Sequence, residues 1–220
     1  MGSDLDQLYF DRVHPIAPII QRSRYFSWTM LPLKRTCLQQ AMRASASAAS
    51  AHFRELGATL YESARQTLET MSDDDPDVEQ IQAWLLLANY EIIRMPHQQA
   101  TMTINRALKM LQVAHVDDIG TRRSNPAYLS GQYNNEWSHL EEPRRTFWFA
   151  YCLDRLANLH TKRQPILHEE VICTPLPVSE KDFELGEVVR SGQLLDAARI
   201  TSRSNRQESQ MSEELYGAPG

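Results

Sequence analysis

Between positions 37 and 71, apolar residues recur every three or four places: Leu38, Met42, Ala46, Ala49, Phe53, Leu56, Leu60, Ala64, Leu68 and Met71. Such steps put them on one side of a 3.6-residue helix. Gly57 interrupts the run and marks the expected break into two helices. The run Ser72-Asp73-Asp74-Asp75 then stops the stripe. Pro76 suits a first helical position, with Asp75 as its N-cap and Asp77 and Glu79 adding negative charge near the positive helix end. A helix is therefore expected over 76–95. It is apolar nearly all round from Ala83 to Ala88, which places it centrally. A further helix over 97–115 carries Ala100, Ile104, Ala107, Leu108 and Leu111 on one side. Pro143 is expected to open another, running to about 160 and apolar all round from Phe147 to Leu153.

Two proline-bearing stretches do not read as helix. His14 to Ile20 holds Pro15 and Pro18, and 161–185 holds Pro165, Pro175 and Pro177. Proline lacks the amide donor and restrains the residue before it, so both stretches are expected to be extended straps. Residues 117–140 read as a polar loop, a weakly apolar helix follows Gly186 to about 200, and 201–220 reads as a polar tail. No two-residue alternation persists anywhere. The pattern predicts an all-α array of about six to eight packed helices with two straps, forming one domain over 1–200.

Composition narrows the function. The chain has 220 residues, 42% of them hydrophobic, and a net charge of −5. That charge does not suit a chain gripping nucleic-acid phosphates by itself. Nineteen of the 23 cations are Arg, the residue of fixed, bidentate carboxylate pairing, so internal ion pairs are expected. Three scattered cysteines give no disulfide framework and suit a reducing compartment. No segment approaches the ~20 apolar residues of a membrane span.

Candidate chemistry is sparse. There is no glycine-rich phosphate loop, no nucleophile elbow and no zinc-ligand spacing, so neither cofactor nor metal is expected. Asp73-Asp74-Asp75-Pro76-Asp77 does fit the acidic box with which helical isoprenoid synthases bind magnesium. Asn134, Ser138 and Glu142 fit the spacing of their second triad. Pro76 and Pro143 oppose that remote alternative, because the ligands need a helix body where proline forces a helix start. Asp154-Arg155 lies in an apolar helix and reads as a buried ion pair joining helices. Glu141 stands four residues before Arg145, the spacing of a local helical pair. Trp84, Tyr90, Trp148 and Tyr151 are core candidates that would alternatively line an effector pocket.

Several stretches together resemble the fungal-specific transcription factor domain, the middle homology region of fungal zinc binuclear cluster regulators. They are Leu8 to Ile19 with its Tyr9-Phe10 and His14-Pro15, Cys37 to Arg43, Val78 to Leu86, Glu141-Glu142-Pro143-Arg144-Arg145-Thr146-Phe147-Trp148 continuing to Arg155, and Leu167 to Pro177. The resemblance covers about 8–185. It implies a nuclear, non-catalytic regulatory region, with secondary-metabolite gene clusters as the context. Its partners would be proteins, or a second copy, meeting exposed apolar helix faces, and a small-molecule effector. DNA would be reached only indirectly or through a zinc cluster that these residues do not contain. The family's six-cysteine cluster and its distal helices are expected to be missing from this chain.

Overall fold

The computed structural model describes residues 2–116, 137–161, 164–168, 172 and 174–186. Among them, eight α-helices and one π-helical turn pack together, with no strand. The helices are α1 (Gly2–Leu8), α2 (Arg22–Phe26), α3 (Leu33–Ala48), α4 (Arg54–Glu69), α5 (Val78–Arg94), α6 (His97–Val113), α7 (Trp137–Thr161) and α8 (Glu180–Leu185); the π-helical turn is Tyr9–Val13.

Helices α3 and α4 form an antiparallel pair: Gly57 lies against Ser47, and the Ser63 hydroxyl meets Gln40. Helix α5 lies on the same α3. Its Asn89 amide donates to the Ser45 hydroxyl and its Arg94 to the Ala48 carbonyl. Residues 80–88 are all buried, so the helix that is apolar all round is the central one. Helix α6 packs on α5, and α7 covers both.

Three boundaries differ from the sequence reading. The break in the first stripe falls at residues 49–53, not at Gly57. Gly57 sits in the first turn of α4, where an added Cβ would stand 1.9 Å from Ser47 Oγ. Its lack of a side chain is what lets α3 and α4 approach. Asp77, not Asp75, caps α5; it has the extended backbone a cap needs and accepts from the Gln80 amide at 2.8 Å. Pro143 lies inside α7 rather than opening it. At the seventh residue of α7 the proline gives up a backbone bond and crowds the preceding turn, and the ion pairs of Glu141 and Glu142 hold the turn around it.

The first strap is shorter than the proline pattern suggests. Only residues 17–21 are non-helical between a turn at His14 to Ile16 and the short α2, and they are not fully extended, since the Ile19 amide bonds back to the Ala17 carbonyl at 2.9 Å. Ahead of them the chain is helical. The His14 amide bonds to the Tyr9 carbonyl at 2.8 Å, a five-residue step that widens the helix so that Tyr9, Phe10 and Val13 all reach the core. The second strap, in its described residues, is non-helical over 164–168, 172 and 174–179 and ends in α8. Ser179 caps α8, and Gly186 closes it in the left-handed region at φ 66°. Of the loop expected over 117–140, residues 137–140 instead form the first turn of α7; the rest of it, the helix after Gly186 and the tail at 201–220 lie outside the described residues.

Candidate functional site

Both straps and α8 converge on the first half of α7. The junction is polar and almost dry: Glu141, Glu142 and Arg145 are 0%, 2% and 4% exposed. Such charges are tolerated only where they are paired and fully hydrogen-bonded, and here they are. Glu141 accepts from Arg144 at 2.6 Å, from Arg145 at 3.2 Å and from the Val178 amide at 2.9 Å. Arg145 goes further. It donates to the Pro18 carbonyl at 3.2 Å, the Val178 carbonyl at 2.9 Å and Glu180 at 2.5 Å, and its guanidinium lies 3.9 Å from the Phe183 ring centroid. One side chain on α7 therefore touches the first strap, the second strap and α8.

The neighbouring turn repeats the device. Glu142 accepts from the Gln21 amide at 2.9 Å and from Arg24, which also reaches Glu79 on α5. Gln82 on α5 donates to the Ile19 carbonyl at 2.6 Å and to the Thr146 hydroxyl at 3.1 Å. Gln21 donates to the Phe183 carbonyl at 2.6 Å. The strap prolines leave backbone carbonyls with no local donor, and side chains of α5 and α7 supply them.

Asp154 and Arg155 do not join two helices. Asp154 accepts from the Leu167 amide at 2.9 Å, while Arg155 donates to the Leu167 carbonyl at 2.7 Å. Their own separation is 3.6 Å. Adjacent residues on one helix cannot bridge to another through each other, so the pair grips the backbone of the second strap instead.

The four aromatics do not form one group. Trp84 is fully buried between two cations, with Arg106 at 4.4 Å and Arg65 at 5.5 Å from its ring. Its indole Nε1 has no hydrogen-bond partner among the described residues. Tyr90 stacks on Tyr61 at 5.0 Å. Tyr61 in turn donates to the fully buried Glu91 at 2.6 Å, and Arg65 neutralises that carboxylate at the same distance. Burial and the Glu91 carboxylate push the Tyr61 phenol well above its ordinary range. Trp148 and Tyr151, by contrast, meet edge to face at 5.4 Å and are only half-buried. The Trp148 indole donates to the Pro175 carbonyl at 2.7 Å.

The acids of the magnesium reading are scattered. Both Asp73 oxygens bind Arg106, at 2.8 and 2.9 Å. Asp77 caps α5 and pairs with Lys34. Glu142 is held as above. Among the described residues these acids form no three-ligand cluster. Asn134 and the side chain of Ser138 lie outside the described residues.

The sequence reading missed Arg24, Gln82 and Glu91. Gln82 and Glu91 carried the available signal, since each is a polar residue flanking the all-round apolar run Ala83 to Ala88 of α5.

A family model described as "Fungal specific transcription factor domain" matches residues 7–216. The chain belongs to the fungal-specific transcription factor domain family. It is 39% identical to the ascochitine biosynthesis cluster transcriptional regulator of Didymella fabae, over 98% of this chain and 38% of that protein. It is 37% identical to the azaphilone cluster-specific transcription factor azaR of Aspergillus niger, over 88% and 43%. It is 40% identical to the asperfuranone cluster transcription factor afoA of Emericella nidulans, over 92% and 34%. The chain thus spans about two-fifths of the length of these relatives. No solved structure matches it. In this member of the family, the Glu-Glu-Pro-Arg-Arg stretch is the junction that holds the straps. Among the described residues no helix is long and apolar enough to cross a membrane.

Proposed function

We propose that this chain is the regulatory region of a nuclear transcriptional regulator of a secondary-metabolite biosynthesis cluster. It acts through contacts with partners or an effector, without catalysis. The observation that carries the reading is the family match over nearly the whole chain, with biosynthesis-cluster regulators as its relatives. The geometry supports a scaffold role for the buried charges on α7, since Glu141, Glu142 and Arg145 bind the straps and α8. The test is disruption of this gene in its host, with transcripts measured genome-wide. The expected result is a coordinated change in a contiguous set of biosynthetic genes. Unchanged transcripts under conditions where the gene is expressed would refute the proposal. Diphosphate release from a prenyl diphosphate that depends on magnesium would restore the synthase alternative, with Asp73→Ala as its control.

Effector sensing is favoured at Trp148 and Tyr151, the two candidate aromatics that keep exposed surface and share one contact. A pathway metabolite that raises the melting temperature, with the rise lost in Tyr151→Ala, supports that assignment. Flat melts across the cluster's metabolites remove it. Trp84 and Tyr90 are buried in the helical core, against Arg106 and Arg65 and against Tyr61 respectively, so we assign them to the core.

A further inference from the structure

We propose that His14, Glu180 and Glu184 form a divalent transition-metal site, suited to zinc, that ties the first strap to α8. Glu180 and Glu184 stand one helical turn apart and so share a face of α8. His14, buried to 8% exposure on the turn before the strap, lies against both. Its Nδ1 is 3.6 Å from Glu180 and its Nε2 is 3.8 Å from Glu184. One nitrogen or oxygen from each residue falls within 4.8 Å of the others. A zinc ion at roughly 2.0–2.2 Å from each ligand requires separations of no more than about 4.4 Å. Binding through Nδ1, which faces Glu180, then requires the Glu184 carboxylate, on a side chain 32% exposed, to turn from the Nε2 edge of the ring toward Glu180.

The tautomer makes the case specific. His14 Nε2 lies 3.0 Å from the Ile20 carbonyl. A carbonyl only accepts, so Nε2 carries the proton, and a neutral ring presents a lone pair at Nδ1. That lone pair faces a carboxylate oxygen, an acceptor facing an acceptor. A cation between them removes the mismatch. Metal-bound histidines hold their other ring nitrogen on a backbone carbonyl in this way. Arg145 donates to the far oxygen of Glu180 at 2.5 Å and the Arg22 amide donates to Glu184 at 3.2 Å, so both carboxylates are oriented. One imidazole and two carboxylates suit zinc and other first-row divalent ions better than magnesium, with water completing the shell.

The test is calorimetric titration of zinc into the chelator-stripped full chain at pH 7, with thermal melts in parallel. The expected result is one equivalent of zinc bound with a raised melting temperature, and little response to magnesium. Glu184→Gln, which keeps the helix and its size, weakens zinc by at least ~10-fold, and His14→Gln abolishes the site. Cobalt in place of zinc gives a visible absorption band that disappears in both variants, a readout that loss of stability alone does not mimic while the variants stay folded. Absence of zinc binding overturns the proposal. So does binding that Glu184→Gln and His14→Gln leave intact, which would locate the metal elsewhere. A melting temperature that depends on His14 and on pH, with no response to metal, assigns the gap to a proton and equally refutes the site.

Discussion

Replacing Arg145 with Met removes a side chain that contacts both straps and α8. The magnitude follows from its partners. The contact with Glu180 contributes at most ~1 kcal/mol, because Glu180 is half-exposed and water screens it. The larger part comes from the interior. Glu141 loses one of its two guanidinium partners, and the carbonyls of Pro18 and Val178 lose a charged donor. Breaking a buried pair costs about 3–5 kcal/mol. Arg144 and the Val178 amide still hold Glu141, so the low end, about 3 kcal/mol, applies. For a chain of this length each kcal/mol shifts the melting temperature by about 2–4 °C, giving a fall of roughly 6–12 °C. Lys34→Ala is the control: its pair with Asp77 is exposed on both sides and is worth less than ~1 kcal/mol. Circular-dichroism melts measure the difference. Hydrogen exchange adds a local readout, since the Gln21 and Val178 amides lose protection before the amides of α5 do. A melting temperature within ~2 °C of the unaltered protein, with strap protection intact, would show that the straps are held by apolar packing and refute the argument.

Gly57→Ala destabilises by ~1–3 kcal/mol in denaturant melts, because the new methyl meets Ser47; at an unhindered helix position the same change stabilises by about 1 kcal/mol. Ser47→Gly restores part of the loss in the double variant, and an unhindered gain in Gly57→Ala alone would contradict the close approach. Asp154→Ala removes the acceptor of the Leu167 amide and costs about 3 kcal/mol, with faster exchange at Leu167; melts equal to those of the unaltered protein would refute the bracing role. Alkaline pH destabilises the fold. Burial pushes the Tyr9 and Tyr61 phenols above their usual value of 10.0, so above about pH 10 the unfolded chain releases protons that the folded chain retains. Stability is full below that pH and falls above it. Melts from pH 8 to 11 show the fall, and Tyr9→Phe makes it shallower by one phenol; an unchanged slope in Tyr9→Phe would sink the assignment.

The sequence by itself determined the helical stripes. A 3.6-residue period reports which residues of a segment share a face, so α3 to α7 were legible, and the all-round apolar run at Ala83 to Ala88 identified the central helix. Local charge spacing was legible for the same reason: Glu141 and Arg145 are one turn apart on one helix. The short helices α1, α2 and α8 were not, since segments of five to seven residues are too short to be stable alone and exist by packing. Nor could spacing show that the helix break falls at 49–53, or that Pro143 lies within α7. What only the tertiary structure decided is which partner each charge meets. Arg145 reaches Pro18 across 127 positions, and Glu142 reaches Arg24 across 118. Periodicity carries no information about which faces meet, so the strap junction, and with it the setting of His14, Glu180 and Glu184, emerges only when the helices are packed.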